Sequence, residues 1–126
     1  MDIKTLMLGD WVKYQCMPTQ VEEIQSDGIN GEWDGQECYG NLSASDLHPI
    51  KLTQELFEKN GWEFPSKYST YMLHAEFHKF ALFPEKDGFF TIRGKEDIKC
   101  IQYVHELQQA LRFFGNYNLA NNLKIK

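Results

Sequence analysis

The segment covering residues 97–115 carries the longest helical pattern in the chain. Its apolar side chains recur at alternating steps of four and three, which places them on one side of an α-helix. We expect Asp97 to cap this helix, Gly115 to end it, and Leu107 and Leu111 to lie in the core. Because no other segment offers so long a helix, the other elements must be organised around its apolar face. The residues of that face are Cys100, Val104, Leu107, Leu111 and Phe114.

The first fifty residues indicate a small antiparallel sheet. Short apolar stretches at residues 11–14, 20–24 and 29–33 are separated by turn signals such as Ser26-Asp27-Gly28. Short strands interrupted by glycine every few positions are typical of a strongly curved sheet or a small barrel. We therefore expect an N-terminal small curved antiparallel sheet, for which an SH3-like barrel is one form.

The middle of the chain indicates a short helix followed by more strands. Thr53 can cap a helix over residues 54–60, and Gly61 can end it. Alternating apolar residues from Tyr71 onward and a turn signal at residues 84–88 then predict an antiparallel meander. The fold class is therefore α+β, with an N-terminal curved sheet, a short connecting helix, a meander and a C-terminal α-helix. The length suits one compact domain, or two lobes at residues 1–49 (barrel-like) and 50–126 (α+β).

The charge and the cysteine content limit which kinds of partner the protein is expected to bind and in which compartment it is expected to reside. The 126 residues include 13 Lys and Arg and 18 Asp and Glu, a net charge of −5, which disfavours non-specific nucleic-acid binding. An odd count of three cysteines without a C-x-x-C pair predicts reduced thiols and no disulfide. No stretch reaches the ~20 apolar residues of a membrane span, and no signal-peptide pattern opens the chain. We expect a cytoplasmic protein without a membrane partner.

Two histidines are the candidate metal ligands. His74 and His78, with Glu76 between them, can approach one another on a strand or on one helical turn. A third ligand would have to come from elsewhere, since no HExxH pattern or Cys/His ladder is present. The alternative, which we prefer, is a pair of surface histidines beside a turn, with no metal.

The sequence offers no catalytic constellation. It contains no GxGxxG, GxxxxGK[ST] or GxSxG pattern, so nucleotide and acyl-transfer chemistry have no support. In the predicted helix, Cys100 and His105 fall on different sides and do not form a nucleophile–base pair. The tryptophans Trp11, Trp33 and Trp62 lack interleaved basic residues, which favours core packing over base stacking. We predict no enzymatic activity, no catalytic residue and no cofactor.

Candidate interaction residues lie near the C-terminus. Phe113 falls beside the apolar seam of the predicted helix, where an aromatic is either the edge of a wide buried face or a partner contact. In the tail, Leu119, Leu123 and Ile125 alternate with asparagines and predict a short edge strand. An unpaired edge can recruit a second copy of the chain or a partner protein. The alternative is that the tail docks on its own sheet.

Three segments together resemble an uncharacterised family of small bacterial and phage-associated proteins. They are residues 9–14, residues 49–53 and above all the string Ile-Gln-Tyr-Val-His-Glu-Leu-Gln at residues 101–108. The family pattern has a C-terminal IKYVHQLQ-like helix, with glutamine where this chain has Glu106. The resemblance implies a compact protein of a bacterium or mobile element and implies no known activity.

These observations favour a non-enzymatic protein-interaction or accessory protein, whose partner is another protein or a second copy. The alternative is a nucleic-acid-associated accessory protein that uses the N-terminal lobe. A contiguous positive surface would favour the second, because phosphate recognition requires it.

Overall fold

The structure is a computed structural model that describes residues 1–33, 36–37, 41–63, 70–75 and 78–125. The side chains at positions 33, 36, 37, 74, 75 and 78 lie outside this description. The chain divides into two units, the first comprising Met1–Ile50 with Ile125 and the second comprising Lys51–Lys124.

The first unit is built on a six-stranded antiparallel sheet. Its strands are β1 (Trp11–Tyr14), β2 (Met17–Ile24), β3 (Gly28–Trp33), β4 (Gln36–Glu37), β5 (Leu42–Ser43) and β6 (Leu47–His48). The order is β4-β3-β2-β1-β6, and β5 also pairs with β3. A 3-10 turn at Ala44–Asp46 leads into β6. The chain thus runs as a meander through β1–β4, returns to β3 with β5, and ends with β6 paired to the first strand.

One face of this sheet supplies the core of the first unit. Val12, Val21 and Ile29 are at most 1% exposed, because apolar residues alternate with polar ones along the three central strands. Gly28 has no side chain for a packing reason: a Cβ there would collide with the carbonyl oxygen of Leu42. The absence of a Cβ at Gly28 lets β5 come close enough to pair with β3.

In its described residues, the second unit combines a four-stranded antiparallel meander with three α-helices. The sheet order is β10-β9-β8-β7. The elements are α1 (Gln54–Lys59), β7 (Tyr71–Ala75), β8 (His78–Pro84), β9 (Phe90–Arg93), β10 (Asp97–Ile101), α2 (Val104–Phe113) and α3 (Tyr117–Asn121). The α+β fold class predicted from the sequence is confirmed by two antiparallel sheets and the helix α2.

Helix α1 follows its local sequence signals. The Thr53 hydroxyl accepts a hydrogen bond from the Leu56 amide at 3.2 Å, and Gly61 adopts the left-handed φ of +80° just past the helix. Phe57, fully buried, packs its ring against Tyr71 and Phe90 at centroid distances of 4.7 and 5.2 Å. The helix is therefore fixed by its caps and by one aromatic anchor.

The predicted start of the C-terminal helix at Asp97 is wrong, because residues 97–101 form strand β10 and α2 begins at Val104. Asp97 and Ile98 pair with Arg93 and Ile92 of β9, and a register shift follows before Ile101. Cys100 has a φ of +62°, which no α-helix accommodates, and its side chain is exposed. Pairing with a neighbouring strand has overridden the helical spacing of this segment.

The later part of the predicted helix is confirmed. Leu107 and Leu111 are both 0% exposed, as the apolar spacing requires. At the start of α2, the Glu106 carboxylate accepts hydrogen bonds from the backbone amides of Gln102 and Tyr103, each at 3.0 Å. This carboxylate satisfies amides that precede the helical ladder, and it is favourably placed at the positive end of the helix dipole.

The expected edge strand in the tail is also wrong, because residues 117–121 form helix α3. The Asn116 side chain caps this helix by accepting a hydrogen bond from the Leu119 amide at 3.3 Å. Asparagine at a cap position favours helix initiation, and the three intervening residues 114–116 suffice to turn the chain back onto α2. Within the described residues, no helix is both long and apolar enough to cross a membrane.

Candidate functional site

Phe113 is the most exposed large apolar side chain of α2, at 65%. Its ring meets the ring of Phe114 in an edge-to-face arrangement, with 5.8 Å between centroids. Phe114 is itself buried and packs against Phe80 of the sheet at 5.7 Å. The exposed ring is therefore supported from beneath by an aromatic that is fixed in the core.

A concavity of about 310 Å³ lies between β10 and α2, with Phe113 at its boundary. Its apolar part is formed by Ile98, Ile101, Ala110 and Phe113. The remaining lining residues are Lys99, Cys100, Glu106 and Gln109.

A second concavity of about 390 Å³ shares Lys99 and Cys100 with the first. Its other lining residues are Glu85, Lys86, Phe89 and Thr91. The shared residues sit where the register of β10 shifts, so the irregular backbone at Cys100 lies between the two hollows. We refer to both concavities together as the β10 groove.

The two carboxylates of the β10 groove are engaged with donors of the protein. Glu106 accepts the two backbone amides at the start of α2, and Glu85 accepts the Thr91 hydroxyl at 3.3 Å. Lys86 and Lys99 are exposed. Both carboxylates keep their negative charge, so the two glutamates and two lysines that line the groove carry no net formal charge.

Beside the groove, Arg93 and Asp97 form a two-point contact across the β9–β10 hairpin. Arg93 Nε and Nη2 donate to the two oxygens of Asp97 at 2.8 and 3.2 Å. The hydrogen bond from Arg93 holds the pKa of Asp97 below its ordinary value, and the charges of Arg93 and Lys99 act in the same direction. Arg93 also lies over the ring of Phe83, 4.9 Å from its centroid.

The opposite side of α2 carries buried polar side chains that hold α3. Gln108 is fully buried and donates to the carbonyl oxygen of Ala120 at 2.9 Å. Arg112, 5% exposed, donates through Nε and Nη2 to the side-chain oxygen of Asn121 at 3.0 and 2.9 Å. His105 is also buried, and its ring stacks on Tyr103 at 5.8 Å. The sequence analysis did not identify the attachment of α3 to α2 by these polar side chains. The signal for it is an asparagine-rich tail that follows a helix bearing glutamine and arginine.

The four interaction candidates have different environments in the structure. Phe113 is exposed, whereas Leu123 is buried and Leu119 and Ile125 are half-buried. Tyr117, at 59% exposure, is a second exposed aromatic, at the first residue of α3, that the sequence did not single out. Phe113 and Tyr117 are thus the exposed aromatic side chains in the described part of this region.

The metal candidates cannot be placed as ligands. The backbones of His74 and His78 lie in β7 and β8, where His74 pairs with Lys79 and His78 with Ala75. Their side chains and all of Glu76 lie outside the described residues. Among the residues that are described, no group of three His, Cys, Asp or Glu is placed to hold a metal ion.

No protein-family model, curated protein or solved structure matches this chain.

Proposed function

We propose that this protein is a non-enzymatic interaction module that binds another protein or a second copy of itself through the surface around Phe113. The observation that carries the proposal is a 65% exposed phenylalanine on a helix whose neighbouring residue anchors it to the core. An exposed aromatic ring raises the free energy of the isolated chain relative to a polar residue, and burial against a partner removes that cost.

The support beneath Phe113 favours binding over incidental exposure. Its ring meets the ring of the buried Phe114 edge to face, a geometry that aromatic pairs prefer. Aromatic side chains of this kind are enriched at the buried centres of protein interfaces. The adjoining β10 groove supplies a hollow into which a partner side chain fits beside the ring.

We interpret the first unit as an SH3-like module. The interpretation is supported by the meander β1–β4, the 3-10 turn at Ala44–Asp46 and the pairing of the last strand, β6, with β1. The resemblance to small bacterial and phage-associated proteins is a further part of the proposal and rests on the string at residues 101–108.

The charge distribution favours a protein partner over nucleic acid. Residues 1–50 contain nine Asp and Glu against two Lys, a formal charge of −7, whereas residues 51–124 contain nine acidic and ten basic residues, a charge of +1. The lobe that the nucleic-acid hypothesis would use is therefore the acidic one. Phosphates would be repelled there at moderate salt.

A pair of matched variants tests the proposal. Phe113→Ala removes the exposed ring of the second unit, and Leu8→Ala removes a 59% exposed apolar side chain of the first. Light scattering over a range of concentrations measures self-association, and affinity capture from a bacterial host measures partner binding. We expect an assembly or a captured protein that survives Leu8→Ala and is lost with Phe113→Ala. A wild-type chain that is monomeric and retains the same proteins as Phe113→Ala would contradict the proposal.

A further inference from the structure

We propose that the tail at residues 116–124 is exchanged between two copies of the chain, so that the tail of each copy docks on α2 of the other. The inference rests on the proposed function and names a second copy as the partner. It is carried by the contacts that hold the tail, by the single glycine that turns the chain back after α2, and by the two exposed aromatic side chains that flank this turn.

The tail is held by contacts that a second copy can supply equally well. Ala120 and Leu123 are buried, and Gln108 of α2 donates to the carbonyl oxygen of Ala120. Asn60, just past α1, donates to the carbonyl oxygen of Lys124 at 2.8 Å and accepts a hydrogen bond from its amide at 2.6 Å. Exchange keeps each of these contacts, because both copies have the same sequence. Only the connection between α2 and the tail changes.

The connection is a three-residue turn, residues 114–116, whose direction depends on Gly115. The Gly115 amide donates to the carbonyl oxygen of Arg112, and the amide of Asn116 donates to that of Leu111. Together with a φ of +85° at Gly115, these bonds form the Schellman arrangement that ends a helix. A helical φ at this glycine instead lets α2 continue into α3 as one helix, which carries the tail away from its own α2. Because glycine is unfavourable inside a helix but permitted there, it favours the turned-back form without preventing the straight one.

The straight form accounts for the two exposed aromatic side chains. In the turned-back chain, Phe113 and Tyr117 belong to different helices and are 65% and 59% exposed. Positions four apart in a continuous helix lie on the same face, so the two rings become neighbours in the straight form. The connections of an exchanged dimer cross between the copies beside the two-fold axis, which brings identical surfaces together. The aromatic pair of one copy therefore packs on that of the other, and its burial favours the exchanged dimer.

Substitution of the glycine in the turn tests the inference. Gly115→Ala disfavours the φ of +85° and favours a continuous helix, so it should raise the dimer association constant about tenfold or more. Gly61→Ala is the matched control, because Gly61 follows α1 with a φ of +80° and, like Gly115, has open space where a Cβ would stand. Analytical ultracentrifugation over a range of concentrations measures association of the wild-type chain and of both variants, each checked by circular dichroism to be folded.

Isotope-filtered NMR on the wild-type dimer detects the exchange without depending on the folding of a variant. Carbon-13-labelled and unlabelled chains are refolded together from urea at high concentration, and we expect nuclear Overhauser contacts between Gln108 of one chain and Ala120 of the other. A dimer that requires Phe113 but lacks these contacts would overturn the inference and leave the proposed function intact. Equal association of the two glycine variants, or monomers throughout, would also overturn it. Capture of a different protein through Phe113 would then decide the proposed function separately.

Discussion

At the scale of single residues, a few charged side chains satisfy groups that lie close by in the chain. Glu106 shows this for the helix start, since one carboxylate oxygen satisfies two backbone amides. In the β9–β10 hairpin, the Arg93 side chain donates hydrogen bonds to both carboxylate oxygens of Asp97.

The first prediction concerns the protonation of Asp97. Because the Arg93 guanidinium donates to both of its oxygens, the folded-state pKa of this carboxyl lies below its ordinary value. The contact therefore contributes stability above the ordinary carboxyl pKa, and that contribution is lost as pH falls through the lowered value. Arg93→Gln should raise the pKa of Asp97 toward the ordinary value in an NMR carboxyl titration. Lys95→Gln, which removes a charge from the same loop, should raise it less, and equal shifts would show that the two-point contact is not the cause.

At the scale of elements, helix α2 is fixed by an apolar face toward the core and by polar side chains that hold α3. Leu107 and Leu111 belong to the first set, and Gln108 and Arg112 to the second. Phe113 belongs to neither set, so neither the core nor the attachment of α3 accounts for an apolar side chain at this position.

The apolar face gives the second prediction. Leu107→Ala should lower the free energy of unfolding by about 2–5 kcal/mol, because a fully buried leucine leaves a cavity that its neighbours fill only in part. Phe113→Ala on the same helix is the control and should change stability by less than about 0.5 kcal/mol. Urea denaturation followed by circular dichroism measures both. Similar losses in the two variants would mean that the buried face of α2 is misassigned.

The third prediction concerns the attachment of α3. Asn121→Ala removes the acceptor that two donors of the buried Arg112 share, and should cost about 1–3 kcal/mol of stability. It should also speed amide exchange in α3 ahead of the rest of the chain. Asn118→Ala, which removes an exposed hydrogen bond on the same helix, is the matched control. Unchanged exchange in α3 for Asn121→Ala would show that the arginine contact does not hold the helix.

The elements differ in how far the sequence could predict them. Helix α1 was predictable because its signals, Thr53 and Gly61, act within one or two turns of the chain. The start of α2 was not, because residues 97–101 satisfy a helical spacing and become a strand only through pairing with β9. The tail was misjudged as a strand because the spacing of Leu119, Leu123 and Ile125 suggests one, although Asn116 provides a local cap for a helix. The bonds from Gln108 and Arg112 that hold α3 form only when the two helices pack.

The same distinction applies to the candidate site. Phe113 could be identified from its position beside the helical seam, because that position depends on the spacing of α2 alone. The β10 groove could not, since it forms between a strand and a helix and depends on the irregular backbone at Cys100.

At the scale of the whole molecule, charge is distributed unevenly along the chain. The acidic excess lies in the first unit, and the surface that we assign to binding lies in the second. We predict that the protein does not bind single- or double-stranded oligonucleotides at physiological ionic strength, as measured by fluorescence anisotropy. Saturable binding that weakens steeply with salt would contradict the protein-partner assignment and favour the nucleic-acid alternative.

The most direct test of the central claim is site-specific photo-crosslinking. A photoreactive phenylalanine analogue replaces the exposed Phe113 of α2. In a separate control variant, the analogue replaces the exposed Leu8. We predict that illumination in a bacterial host joins the position-113 variant covalently to a second copy or to one partner protein. The position-8 variant should give no such product. Equal cross-linking from both positions, or none from position 113, would contradict the assignment of the Phe113 surface as the binding site.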